Sequence, residues 1–138
     1  MKIGLTGTRE GATDYQLVEI CKFFETLSGE VELHHGDCTG VDIEVAAMAR
    51  EYGFKIICHP PVKTELRGHF GGDEARPPKG YLERDRNIVD ETEMLLVVPL
   101  QKEWQPKGGT WYTHDYALKV GKPVLVIFPS DEPVDIDS

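Results

Sequence analysis

Glycine-rich loops are the part of this sequence best suited to bind an anion. Each combines glycine with a hydroxyl or cationic side chain: Gly7-Thr8-Arg9, Gly36–Asp42 and Lys107-Gly108-Gly109-Thr110. Glycine lets backbone amides approach a ligand closely, and the free N–H groups of a following helix attract negative charge. Any one of these loops could be a tight turn or, at Thr110, a helix cap. Together they predict a binding site for a phosphate or carboxylate group.

The candidate ligand-binding residues lie in these loops and in one later helix. They are Gly7, Thr8, Arg9, Gly36, Thr39, Gly40, Asp42, Arg86, Asn87, Gly108, Gly109 and Thr110. Among them, Arg9 is able to bind a phosphate through two of its N–H groups. The loops contain neither the GxxxxGK[ST] pattern of a P-loop nor the GxGxxG pattern of a dinucleotide-binding turn. No resident cofactor is therefore predicted, and the expected ligand is a small anion.

Carboxylates and histidines show no spacing that is typical of a catalytic pair or a metal site. Asp42 and Asp115 are the catalytic candidates, and Glu44 and Asp85 are further possible acids or bases. The adjacent histidines at positions 34 and 35 belong to a predicted strand, so they point to opposite faces and do not easily share an ion. The sequence also lacks an HExxH motif and a paired CxxC motif. No metal site is predicted.

Strands and helices alternate along the chain in a way that brings the glycine-rich loops to one edge of a sheet. The predicted strands are residues 2–6, 31–35, 55–59, 93–99 and 124–128, and the predicted helices are 14–27, 41–52, 81–91 and 110–120. This order predicts a single Rossmann-like α/β domain of three layers with a mainly parallel five-stranded sheet. In such a sheet, ligands bind beyond the carboxyl ends of the strands.

A chain of 138 residues fits one domain, which we place at residues 1–129. Residues 62–80 interrupt the alternation with four glycines and two prolines. This segment is interpreted either as a lid loop that closes over the ligand or as a disordered insertion. Residues 130–138 are predicted to form an acidic tail.

The net charge of −9 argues against nucleic acid and anionic membranes as partners, because both carry negative charge. A local cationic pocket still permits a small anionic ligand. The three cysteines form no CxxC pair, and the N-terminal stretch turns polar too early for a signal peptide. We therefore expect a cytoplasmic protein with reduced thiols. Its aromatic residues Trp104, Trp111 and Tyr112 are candidates for the contact of a homo-oligomer.

Three segments carry a family resemblance: HHGDCTGVDIEVAAMAREYG (34–53), RDRNIVDETEMLLVVP (84–99) and KGGTWYTHDYALKVGKPVLVI (107–127). They resemble the HGxxxGaDxxAxxxAxxxG, RNxxMxxxaDxxxxxP and GGTxxTxxxAxxxGxPV segments of the SLOG superfamily. These Rossmann-like domains are named for the DNA-processing protein Smf/DprA and the cytokinin-activating phosphoribohydrolase LOG. The opening IGLTGTRE also fits the family's first strand and turn, so the resemblance covers residues 1–129. It is nearest to the small stand-alone bacterial and phage type.

The resemblance implies a nucleotide or nucleotide-derived ligand whose phosphate lies near Gly108, Gly109 and Thr110. It also makes Arg86-Asn87 the counterpart of the family's Arg-Asn pair. LOG-type hydrolases carry PGGxGTxxE, whose glutamate acts in cleavage of the N-glycosidic bond, and here Thr113 stands at that position. A binding or sensing protein is therefore the first expectation. The alternatives are a nucleoside or nucleotide N-glycosidic bond hydrolase and a structural homo-oligomeric domain.

Overall fold

Six strands form one sheet in the computed structural model, which describes residues 1–134. The strands are β1 (Lys2–Gly7), β2 (Glu32–His35), β3 (Lys55–Cys58), β4 (Glu74–Ala75), β5 (Met94–Val98) and β6 (Val124–Val126). The helices are α1 (Asp14–Glu25), α2 (Val41–Glu51), α3 (Tyr81–Asp90) and α4 (Gly109–Lys119). The strand order is β4-β3-β2-β1-β5-β6, and every pairing is parallel.

The predicted number of five strands is wrong, because β4 adds a sixth strand. The predicted parallel arrangement is found in every pairing of the described strands. Strand β4 comes from the segment predicted to be a lid. Only Glu74 and Ala75 pair with β3, opposite Ile57 and Cys58, and both are exposed. A strand this short and this exposed has no apolar run or alternation that a sequence pattern could detect.

The apolar core lies on both faces of the sheet. Beneath α1 and α2 it is built around Leu5, Phe24 and Leu33, which are almost fully buried. A smaller cluster on the opposite face includes Leu95 and Val97 of β5. Because β5 is covered on both faces, its sequence is an unbroken apolar run, as is typical of interior parallel strands. Among the described residues, none of the helices has both the length and the apolar character that spanning a bilayer requires.

Segment 62–80 packs against the loop that follows β2 and along the outer side of β3, where β4 extends the sheet. The fully buried Asp37 holds it there: its carboxylate accepts from Arg67 Nε at 2.7 Å and from the amides of Phe70 at 2.8 Å and Gly71 at 3.1 Å. Asp37 has a φ of 55°, in the left-handed region that aspartate tolerates better than most residues. Residues 135–138 of the predicted acidic tail lie outside the described residues.

The chain changes direction in the sheet at β1. From β1 it proceeds to β2, β3 and β4 on one side, and it then returns to place β5 and β6 on the other side. The loops after β1 and β5 therefore diverge and leave a crevice at their carboxyl ends, which is where ligands bind in open α/β sheets.

Candidate functional site

A cleft of about 330 Å³ opens at the carboxyl ends of β1 and β5. Most of the predicted ligand-binding residues line it: Gly7, Thr8, Arg9, Gly36, Asp42, Gly108, Gly109 and Thr110. The structure thus brings residues from all three glycine-rich loops to one crevice. Its lining includes no residue of segment 62–80, the predicted lid. Whether the lining residues bind a ligand stays a prediction.

The loop before α4 has the clearest features of an anion site. Its N-cap residue, Gly108, has a φ of 103°, and no side chain caps the helix. A Cβ added at Gly108 or Gly109 would meet no atom within 4 Å, so both glycines border open space. The first amides of α4 are therefore left for solvent or a ligand, at the end of the helix that carries partial positive charge.

Glycine at two other cleft positions is explained by packing within the protein. A Cβ at Gly7 would clash with the side chain of Val41, the first residue of α2. A Cβ at Gly36 would clash with the guanidinium group of Arg84. These two glycines are required by the fold itself. The loop before α4 is the one in which glycine leaves room for a ligand.

Two exposed cations stand in the lining of the cleft. The Arg9 guanidinium lies 5.2 Å from the centroid of the Tyr81 ring, within the range of a cation–π contact. Lys107 immediately precedes the N-cap of α4. Within residues 1–134, neither cation forms a salt bridge. Both are therefore able to pair with an anionic ligand, although the nearby Glu10 side chain opposes them.

The buried pair of Arg84 and Asp85 lines the cleft from α3. Arg84 is 5% exposed, and its Nε donates to Asp85 Oδ1 at 2.8 Å. Its Nη1 donates to the carbonyl oxygens of Gly36, which follows β2, and of His59, which follows β3. Arg84 thereby ties α3 to the carboxyl ends of two strands.

Arg86 and Asn87 of this helix are predicted ligand-binding residues, but both lie outside the lining of the cleft. Arg86 donates instead to the hydroxyl of Tyr112 at 2.9 Å. The spacing of residues along the helix could have identified Arg84 and Asp85 instead. Arg84 and Asp85 precede the buried Ile88 and Val89 by one turn and thus share their face.

The remaining predicted loop residues, Thr39 and Gly40, also lie outside the lining. The amide of Thr39 donates to Leu66 O at 3.0 Å, so it faces segment 62–80. Gly40 packs beneath the turn after β1, where a Cβ would clash with the backbone carbonyl of Arg9. These two residues hold neighbouring segments in place.

The two catalytic candidates from the sequence occupy different environments. Asp42 is buried, and its Oδ2 accepts from the amides of Gly36 at 3.0 Å and Cys38 at 3.2 Å. Burial raises its pKa, although these hydrogen bonds oppose the shift. Asp115 lies outside the lining of the cleft and accepts from Trp104 Nε1 at 2.9 Å. Asp42 therefore organises its own loop, and Asp115 is not placed to act in the cleft.

Asp85 is a carboxylate in the lining of the cleft with a raised pKa. Burial raises its pKa to about 6, even though the Arg84 guanidinium favours the charged form. The carboxyl group therefore exchanges a proton close to neutral pH. A group of this kind in a cleft is suited to act as a general acid or base, or to change the charge that a ligand meets.

In the wild-type protein, Asp85 should make a contribution to the free energy of unfolding that is lost as the pH rises from about 4 through about 6. Asp85→Asn should abolish this pH dependence. In that window the folded protein holds a proton on Asp85 that the unfolded chain, with an ordinary pKa near 4, has lost. This contribution to stability therefore decreases as the pH rises, by about 3 kcal/mol in total, and levels off about one unit above the folded pKa. Urea unfolding of both proteins across this range measures the slope. Asp115→Asn is the control, and equal slopes for Asp85→Asn and wild type would contradict the assignment.

No protein-family model matches this sequence, and no curated protein matches it significantly. Solved structures do share its fold. The X-ray structure of TM1055, a structural genomics target, aligns with a TM-score of 0.63 over 89% of this chain and 71% of that chain, at 17% identity. The molybdenum cofactor binding protein from the phototrophic bacterium Rippkaea orientalis aligns with a TM-score of 0.72 over 94% and 77%, at 21% identity. These comparisons show that the chain has a Rossmann-like α/β fold.

Proposed function

We propose that this protein binds a nucleotide or a nucleotide-derived small molecule in the cleft, as a binding or sensing protein of the SLOG type. The observation that carries the proposal is the uncapped start of α4. Gly108 and Gly109 border open space there, and no side chain occupies the first amides of the helix. A phosphate group is the ligand that such a helix end favours.

The surroundings of this helix end support a phosphate that is part of a larger molecule. Lys107 and Arg9 supply positive charge, and Thr110 supplies a hydroxyl group. The partly exposed ring of Tyr81 also lines the cleft and offers a surface on which a heterocycle can stack. A volume of about 330 Å³ suits a ligand of mononucleotide size, at the small end of ligand pockets.

The structural neighbour that binds the molybdenum cofactor widens the choice of ligand. At 21% identity it supports only the expectation that this fold holds a small molecule. Nucleotides remain the first candidates because the sequence segments resemble a nucleotide-processing superfamily. The molybdenum cofactor is the second ligand to test.

We expect nucleoside monophosphates or diphosphates to bind and to raise the melting temperature of the wild-type protein. Lys107→Glu should weaken binding at least about tenfold, because it places a negative charge beside the phosphate. Gly109→Val should weaken it at least as much, because the new side chain enters space that is free of protein atoms. Titration calorimetry measures these affinities.

The matched control for the charge reversal is Lys102→Glu. Lys102 lies in the same loop but outside the lining of the cleft, and its exposed side chain pairs with Asp131. Its reversal changes the net charge equally and should leave the affinity unchanged. If no nucleotide binds at millimolar concentration, the proposal fails and a purely structural domain is favoured. Equal losses from both charge reversals would show that only the overall charge matters.

N-glycosidic bond hydrolysis is a second candidate function, and Asp85 is the observation that favours it. Its raised pKa, about 6, makes it able to protonate a departing base or to accept a proton from water. Incubation with nucleoside 5′-monophosphates followed by chromatography for free base tests this activity. Release by the wild type that Asp85→Asn abolishes would support hydrolysis. Intact substrate after long incubation would leave binding as the function.

A further inference from the structure

A second cluster of polar side chains lies apart from the cleft, on the face of the sheet covered by α3. It contains His34 of β2, His59 just after β3, and Glu91 just after α3. His34 pairs in register with Ile57, so His59, two residues further along, projects from the same face. His35 projects from the other face, where its ring nitrogens meet the Asp37 amide and the Gly71 carbonyl. The fold therefore pairs His34 with a histidine of the next strand.

The three side chains lie close together. His59 faces the other two with different ring nitrogens: its Nε2 lies 2.9 Å from His34 Nδ1, and its Nδ1 lies 3.7 Å from Glu91 Oε2. One potential ligand atom from each residue falls within 4.8 Å of the others. Two imidazoles and one carboxylate form a donor set that Zn²⁺ accepts, with a fourth position left for water.

Further groups already orient two of these side chains from outside. The outer nitrogen of His34, Nε2, lies 3.1 Å from a Glu32 carboxylate oxygen. The other oxygen of Glu91, Oε1, accepts from Arg76 Nε at 2.9 Å. In protein metal sites, a ligating histidine almost always donates its second N–H to such a partner, and ligating carboxylates are hydrogen-bonded in the same way.

Both imidazoles of the cluster are buried, and the carboxylate is its most exposed member. His34 is 1% exposed and His59 is 2% exposed. The partly exposed Glu91 gives the cluster a route to solvent.

We propose that His34, His59 and Glu91 bind one divalent transition-metal ion of the Zn²⁺ type. The two facing nitrogens need to separate only to about 3.3 Å, which a tetrahedral ion with bonds near 2.05 Å requires. The other group of potential ligands, His35, Asp37 and Cys58, does not fit an ion, because hydrogen bonds already occupy the His35 nitrogens and both Asp37 oxygens.

Titration of chelator-treated, tag-free protein with Zn²⁺ and with Co²⁺ tests the proposal. We expect one ion per chain by calorimetry, and the visible absorption of tetrahedral Co²⁺. His59→Gln and Glu91→Gln should each weaken binding at least about tenfold. His114→Gln, which alters a histidine outside the cluster, should bind as the wild type does.

The Glu91 variant keeps the proposal falsifiable if the buried His59 variant fails to fold, because Glu91 lies partly in solvent. Circular dichroism verifies that each variant is folded. Absence of binding by the wild type would overturn the proposal and leave a hydrogen-bonded histidine pair. Unchanged affinity in a folded Glu91→Gln would also overturn it. Nucleotide affinity is a separate readout that these substitutions should not alter.

Discussion

Replacing Arg84 by methionine should lower the free energy of unfolding by about 3–5 kcal/mol. Methionine keeps an unbranched apolar stem but removes the guanidinium group. The buried Asp85 carboxylate then loses its partner at 2.8 Å, and the carbonyls of Gly36 and His59 lose their donor. Urea unfolding at pH 7.5 measures the loss.

Arg86→Met is the matched control for this substitution, because Arg86 lies on the same helix but is not buried. It should cost about 1 kcal/mol or less. Adding Asp85→Asn to the Arg84 variant should recover part of the loss, since the stranded charge is then removed, so the two effects should not add. Similar losses for the two arginine variants would contradict the role we assign to Arg84.

Asp37→Ala should release segment 62–80 from the sheet and destabilise the protein by about 3 kcal/mol or more. The substitution leaves Arg67 and the amides of Phe70 and Gly71 without their acceptor, and it places alanine at a positive φ. Asp37→Asn, which tolerates this φ and retains one acceptor oxygen, should lose less. Urea unfolding and tryptic cleavage after Arg67 measure both effects.

Glu65→Ala, an exposed change within the same segment, is the control and should alter neither stability nor cleavage. Burial alone would raise the pKa of Asp37, but Arg67 and the two amides outweigh it and lower the pKa. The stabilisation from Asp37 is therefore fully present above its ordinary pKa near 4 and is lost as the pH falls through the depressed value. Cleavage at the wild-type rate in Asp37→Ala would show that other contacts hold the segment.

Local sequence patterns were sufficient for most of the helices and strands. The predicted helix at 41–52 agrees with the observed α2 (Val41–Glu51) to within one residue. An amphipathic run and a following glycine are local signals, so the sequence was sufficient to place this helix. The start of α1 is marked by a capping box between Thr13 and Gln16. In contrast, β4 depends on distant partners, including the hydrogen bond from the Ile56 amide to Asp73 at 2.8 Å. No local pattern encodes such a contact.

The sequence was sufficient to predict which loops form the candidate site, but not the role of each residue in them. The alternation of strands and helices predicts that the loops after β1, β2 and β5 lie at one edge of the sheet, because the carboxyl ends of parallel strands meet at the same edge. The sequence did not show that Gly7 and Gly36 serve internal packing, whereas Gly108 and Gly109 border open space. It also favoured Arg86 over Arg84, because a family motif outweighed the helical spacing that links Arg84 to Ile88. Side-chain packing decides these distinctions, and one sequence does not display it.

The central position of β1 determines when during translation the candidate cleft is complete. Ile3 pairs with Met94, so the innermost strand made first must wait for a neighbour made much later. The opposite wall of the cleft, at Gly108 and Gly109, is synthesised later still. Pairing of such distant segments is slow, and domains fold as units when they emerge from the ribosome. The candidate cleft is therefore complete only in a nearly finished polypeptide, and a shorter nascent chain lacks one of its walls.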